Sequence, residues 1–310
     1  MRRNSARFGA LALGLVGWFS GLNGLLAEPA RAADLMEVEL QEDVVYGRGA
    51  GDELKLDLAK PREAKEPLPG ILFIHGGGWQ AGNKKVYRQA IQEFAANGYV
   101  VGSVGYRFAP KHRSPAQVED VKCAVRWMRA NAKDLNLKPE KIGAIGASAG
   151  GHLATMLGVM DTSDGCEGEG GCAEQSSKVQ CVVNYFGPTN LVVRDLEGSP
   201  VKGLILEDAV RGILTNFVGG KPEESADLLR MSSPVTYVNK GDAPMLMFQG
   251  TKDQLVPYDQ VLELAAALTK AGIPGRIELI LGAGHGWGGN EMKRTQATAL
   301  EFFDQHLKGS

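Results

Sequence analysis

The apolar positions of this chain follow two alternating periods. Short continuous runs, at 70–74, 99–104, 141–147, 179–186, 244–250 and 276–281, have the length and β-branched content of strands covered on both faces. Between them lie amphipathic stretches, at 87–96, 114–132, 148–160, 258–271 and 291–307, whose apolar residues recur at helical spacing. In 114–132 these are Val118, Val121, Ala124, Val125 and Met128. Ser114-Pro115-Ala116-Gln117 reads as its start, with a serine cap, proline at the first helical position and glutamine three residues after the cap. The alternating segments 36–46 and 54–59, joined by the polar turn 47–52, predict an opening antiparallel hairpin. Strand–helix alternation thereafter predicts βαβ units, hence a mostly parallel central sheet with helices on both faces.

Between 189 and 241 the pattern loosens into short helical pieces broken at Gly-Ser-Pro, Gly-Gly-Lys-Pro and Ser-Ser-Pro. This stretch is too short and too broken to own a core, so it reads as a cap-like insertion over one face of the sheet. The expected organisation is a single α/β domain over 33–310.

The first 32 residues stand apart. Arg2, Arg3 and Arg7 precede an apolar, Gly-rich run from Phe8 to Leu26, and Ala30-Arg31-Ala32 follows. That order reads as a secretory signal peptide cleaved after Ala32, because its glycines and polar interruptions oppose a stable membrane span. Cleavage removes four basic residues and one acidic one and leaves a net charge of about −5. The expected product is exported and not membrane-bound, with no basic footprint for nucleic acid. Export changes the reading of the cysteines: Cys166 and Cys172 flank a flexible Glu-Gly-Glu-Gly-Gly spacer and are expected to form a local disulfide. Cys123 and Cys181 read as buried small hydrophobes, with either able to compete for a partner. No Cys-x-x-Cys pair points to zinc, and the acidic loop 161–169 lacks the ligand spacing of a calcium loop, so no metal is expected.

Candidate chemistry centres on Gly146-Ala147-Ser148-Ala149-Gly150. Two glycines around a serine, between an apolar run and a helix start, suit a turn so sharp that the hydroxyl projects from its apex. A neutral serine needs a base within hydrogen-bond reach and a group that orients that base. Of the five histidines, His285 alone follows the last strand in a glycine-rich loop, Gly282-Ala283-Gly284-His285-Gly286-Trp287, at the carboxyl edge where such sites gather. His152 lies one turn into the helix leaving Ser148, His112 in a basic loop and His306 near the chain end. Asp253, directly after the 244–250 strand, is the candidate orienting acid, better placed than Asp242 or Asp259. In His75-Gly76-Gly77-Gly78 the glycines leave amides unshielded, so Gly77 and Gly78, with the amide of Ala149, can converge on an oxyanion. His75 is expected to hold that loop.

Four ordered motifs, His75-Gly76-Gly77-Gly78-Trp79, Tyr106-Arg107-Phe108-Ala109-Pro110, Gly146-Ala147-Ser148-Ala149-Gly150 and Asp253 with His285, make the chain resemble the α/β-hydrolase superfamily. It is similar in particular to hormone-sensitive-lipase-like esterases and to bacterial acetylxylan and feruloyl esterases. The resemblance spans about 35–307 and implies the α/β-hydrolase fold and a serine esterase without cofactor. It makes Ser148 the nucleophile, His285 the base, Asp253 its partner, and Gly77, Gly78 and Ala149 the oxyanion donors. It also implies that Arg107 and Asp120 pair as scaffold. The chain departs from the hormone-sensitive-lipase group in offering strands where that group carries an N-terminal helical cap, and it leans toward the carbohydrate-acting esterases. Trp79 and Trp287 are candidates for an aromatic wall against a sugar or aryl ester, or equally for core or rim positions. A small-molecule or carbohydrate ester is the expected partner, with acyl length, alcohol and oligomeric state left open. The competing readings are a peptidase similar to the prolyl oligopeptidases, without their propeller, and a non-catalytic binding module on the same fold.

Overall fold

A computed structural model of the protein describes residues 35–192 and 204–309. The predicted signal peptide, its cleavage site and residues 193–203 of the predicted insertion lie outside the described residues. Eight strands form one sheet in the order β1-β2-β4-β3-β5-β6-β7-β8. In chain order these are β1 (Val38–Gly49), β2 (Asp52–Pro61), β3 (Leu68–Ile74), β4 (Val100–Val104), β5 (Leu137–Ala147), β6 (Val182–Tyr185), β7 (Met245–Gly250) and β8 (Gly275–Ile280). β1 and β2 pair antiparallel, as do β2 and β4, and every other pairing is parallel. This is the α/β-hydrolase arrangement expected from the sequence.

The helices are α1 (Arg88–Ala96), α2 (Ala116–Ala130), α3 (Ala132–Leu135), α4 (Ala149–Val159), α5 (Leu204–Val218), α6 (Ala226–Met231), α7 (Asp259–Ala271) and α8 (Gly289–Phe303). The continuous apolar runs have a direct structural counterpart. In β3, Leu72 and Ile74 face the cluster built with α2, α4 and α7, while Ile71 and Phe73 face the cluster built with α1 and α8. All four are buried, at about 1.5–3 kcal/mol of transfer free energy each. A strand with two dry faces cannot alternate polar and apolar residues, which is why the run is unbroken.

Two local expectations are corrected. The polar turn of the hairpin shrinks to Ala50 and Gly51, both in the left-handed region at φ 49° and 87°. Two such residues match the right-handed twist of the flanking strands, so pairing runs out to Gly49 and Asp52. The capping motif at Ser114 does not form. Helix α2 has Pro115 at its cap without a side-chain hydrogen bond, the Ser114 hydroxyl lies 2.8 Å from that of Ser232, and the buried Gln117 amide donates to the Arg107 and His112 carbonyls. Tertiary partners outcompete the local cap.

The expected Cys166–Cys172 disulfide is also corrected: all four cysteines are free thiols. The intervening loop is held by charge and not by sulfur. Glu167 accepts from buried Lys122 at 2.9 Å and from buried Arg126 at 2.5 Å, and from the Ser177 hydroxyl at 2.8 Å. Among the described residues no group of three or more His, Cys, Asp and Glu is arranged to hold a metal ion, and no helix is long and apolar enough to cross a membrane.

Candidate active site

Four strand ends on the carboxyl edge of the sheet deliver the site. β5 ends at Ala147 and α4 begins at Ala149, leaving Ser148 as the single residue of the reversal, at φ 56° and ψ −124°. A serine in this conformation is strained by about 1–3 kcal/mol, and its surroundings over-determine it. Its N–H donates to the Tyr185 carbonyl at 2.9 Å and its carbonyl accepts from His152 N–H at 2.9 Å. The two glycines of the motif are obligatory for a different reason, namely contact. A Cβ on Gly146 would lie 2.3 Å from the Gly150 carbonyl oxygen, and one on Gly150 would lie 2.0 Å from that of Ile74. The turn is therefore packed directly against the end of β3.

The hydroxyl meets the predicted base. His285 Nε2 is 2.9 Å from Ser148 Oγ, and His285 Nδ1 is 2.8 Å from Asp253 Oδ2. Because a carboxylate only accepts, the Nδ1 carries the proton and the Nε2 lone pair faces the serine O–H. Asp253 has no exposed side-chain surface. Its charge is met by four donors: the amides of Leu255 and Val256 on Oδ1, both at 2.9 Å, and Gln249 and His285 on Oδ2. Gln249 was not singled out by the sequence. It sits one residue before the end of β7, where its amide donates to both Asp253 and the Val256 carbonyl, and its position in a strand otherwise apolar was the available signal.

The loop after β3 approaches the same point. A Cβ on Gly76 would meet Ala147 O at 2.8 Å and Ser148 Cβ at 3.2 Å, so this loop touches the serine turn. Gly77 and Gly78 hold φ of 122° and 60°, and among the described residues their amides donate to no backbone carbonyl or side chain. The Ala149 amide opens α4, where helix N–H groups have no intrahelical acceptor. Unshielded amides around a nucleophile can hold a developing oxyanion.

His75 and His152 serve as struts. His75 stacks on Tyr106 with ring centroids 4.4 Å apart, and its Nδ1 reaches the Gly76 carbonyl at 2.8 Å. His152 accepts from the Trp79 indole at 3.1 Å and donates to the Ser232 carbonyl at 2.7 Å, tying the loop after β3, the serine helix and the insertion together. Burial lowers the pKa of both imidazoles from 6.5 to about 4, so both are neutral near pH 7. His112 lies 3.1 Å from Asp52 and His306 packs on Phe302, both away from the serine's hydrogen bonds.

Of the two readings of Trp79 and Trp287, aromatic wall or core, their burial supports the core. Both are buried, at 3% and 6% exposure, with their indole N–H groups committed to His152 and to Thr295. Trp79 stacks on Phe217 of α5 at 4.2 Å and Trp287 packs on Phe186 at 5.3 Å, so each supports a loop from behind. Helix α5 rests on the loop after β3: Asn216 donates to Gln80 at 2.6 Å and Ile213 lies against Gly78. The pair between Arg107 and Asp120 forms as expected, with contacts of 2.7–3.0 Å.

Comparison with known proteins finds esterases among both its sequence relatives and its structural neighbours. Esterase LipC of Mycobacterium tuberculosis is 30% identical over 260 residues, which cover 83% of this chain and 62% of LipC. The chain thus spans about three-fifths of that relative's length and about half that of Esterase LipQ from the same organism. Among solved structures, a truncated carbohydrate esterase from gut microbiota superposes with a TM-score of 0.77 at 27% identity, covering 89% of this chain and 98% of the other. Thermogutta terrifontis esterase 2 phosphonylated by sarin gives 0.71 at 30% identity, covering 85% and 94%. The BD-FAE family pattern matches residues 56–268, from the second strand through the helix after Asp253. On that match and this fold, the chain belongs to the BD-FAE family and is an α/β-hydrolase related to esterases.

Proposed function

We propose that this protein is a serine carboxylic-ester hydrolase working through an acyl-enzyme. The observation that carries the reading is the in-line chain from Ser148 Oγ through His285 to Asp253, with spacings of 2.9 and 2.8 Å. Ser148 attacks the ester carbonyl while His285 Nε2 takes its proton, and the amides of Gly77, Gly78 and Ala149 hold the oxyanion. His285 then protonates the departing alcohol, and a water activated by the same nitrogen releases the acid. The buried carboxylate of Asp253 fixes the tautomer that this cycle requires. The substrates we propose are acetyl or hydroxycinnamoyl esters of carbohydrates, or similar small esters. The support is the likeness to a solved carbohydrate esterase, and the export we propose from the signal-like pattern of residues 1–32 suits extracellular or periplasmic work on such material.

A fluorophosphonate probe should label Ser148 in the folded protein, and Ser148→Ala should abolish labelling and lower turnover by on the order of a millionfold. Absence of labelling in the folded wild-type protein would refute the catalytic reading. Aryl acetates, acetylated xylan, methyl ferulate and a Gly-Pro anilide compared in one assay resolve the substrate. Cleavage of the anilide without ester turnover would make the protein a peptidase.

A further inference from the structure

Resting on the reading of His285 as general base, we propose that Phe186 is a positioning residue whose ring keeps the His285 imidazole in line between Asp253 and Ser148. Two hydrogen bonds at opposite ends of the imidazole fix its position along the line joining Asp253 and Ser148. Rotation about that line bends both hydrogen bonds and twists the Cβ tether, and a side chain packed against the ring opposes it further. His285 sits between two glycines in a tight turn closed by the Gly286 N–H and the Gly284 carbonyl at 2.8 Å. Phe186 supplies such a contact, an edge-to-face one with its ring centroid 4.8 Å from that of His285 and the planes inclined at 63°.

Phe186 is itself backed. Its far neighbour is Trp287, at 5.3 Å and 76°, and the Trp287 indole is pinned to the Thr295 hydroxyl at 3.1 Å. A stack thus runs from α8 through Trp287 and Phe186 to the base. The backbone at Phe186 adds an independent sign. This bulky residue stands at φ 42°, in the left-handed region where glycine or asparagine is at ease, held there by its N–H on the Phe248 carbonyl at 2.8 Å. A glycine, present next door at Gly187, would meet the backbone demand with less strain. What the strained residue provides is the ring.

The test is a double-mutant cycle read as kcat and KM on 4-nitrophenyl acetate, with thermal unfolding followed in parallel. F186A and F186L should lower kcat about tenfold with KM within about twofold, the loss expected when a reacting group is slightly misplaced. F186Y, which restores the ring, should recover most of the rate. In a His285→Ala background the same F186A and F186L changes should alter the residual rate less than about twofold, because no imidazole remains to be positioned. Should F186A fail to fold, F186L, which refills most of the volume, carries the test. Equal losses in both backgrounds, or wild-type kcat in F186L, would overturn the proposal. Wild-type kcat in H285A alone would overturn the general-base reading and the proposal with it.

Discussion

Replacing Asp253 with asparagine probes the site at its most determined point. The two carboxylate oxygens face four donors: two backbone amides on Oδ1, and Gln249 Nε2 and His285 Nδ1 on Oδ2. Asparagine keeps the shape but turns one acceptor into a donor, so one pair of donors must be confronted. Turning the new amide toward Leu255 and Val256 opposes two N–H groups that the turn cannot move, at about 1–3 kcal/mol for each buried group left unpaired. Turning it toward Gln249 and His285 is cheaper, because the imidazole can shift its proton to Nε2 and accept at Nδ1. That choice ruins the base, since the nitrogen facing Ser148 then donates. The same substitution in a Ser-His-Asp triad lowers kcat about 10⁴-fold, which is about 5.5 kcal/mol of barrier. Gln249 adds a stability cost of about 1–3 kcal/mol, because rotating its own amide would break the bond to Val256 O. Steady-state hydrolysis of 4-nitrophenyl acetate near neutral pH, with thermal unfolding of the same samples, measures both. A folded D253N enzyme with kcat within tenfold of wild type would refute the reasoning.

Three further outcomes follow from the packing around the site. G146A places a methyl 2.3 Å from the Gly150 oxygen and 2.8 Å from that of Ile74, and should destabilise the fold by about 3 kcal/mol in denaturant unfolding; a neutral effect would contradict the close approach of these turns. R107L strands the buried Asp120 carboxylate and should cost about 3–5 kcal/mol, whereas K111A, which removes an exposed pair with Asp52, should change stability by less than about 1 kcal/mol. Equal effects would sink the distinction. His75 and His152 have folded pKa values of about 4 against 6.5 unfolded, so the unfolded chain takes up protons first as pH falls. Their contribution is complete above pH 6.5 and is lost as pH falls toward 4, by up to about 3 kcal/mol each. The melting temperature should therefore drop over that window, with a shallower slope in H152Q, and parallel slopes would remove His152 from the account.

Much of the candidate site is legible in the sequence because its geometry is local at each strand end. Gly146, Ser148 and Gly150 lie within five residues, and the constraints on them, a tight reversal and close backbone contact, act on those residues alone. Asp253 and His285 were found because each follows an apolar run by a few residues, and a parallel sheet gathers such positions on one edge. Residues whose role is lateral escaped. Gln249 reads as one polar residue in a strand, and only the turn that brings Asp253 back over it shows why it is there. The tryptophans show the converse: Trp79 and Trp287 neighbour the reacting groups in sequence, yet both point inward, toward His152 and Thr295.

The sequence by itself determined the order of strands and helices, the two-faced burial of the sheet and the identity of the serine, histidine and aspartate that meet. Those follow from periodicity, from the steric privilege of glycine and from the pKa range of imidazole, all properties of short segments. The tertiary structure alone decided that Ser114 turns to Ser232 and caps no helix, that Glu167 and two buried cations hold the loop between free Cys166 and Cys172, and that α5 rests on the loop after β3. In each case partners distant in sequence outweigh a local preference worth about 1 kcal/mol, and no window of the chain contains both sides of that competition.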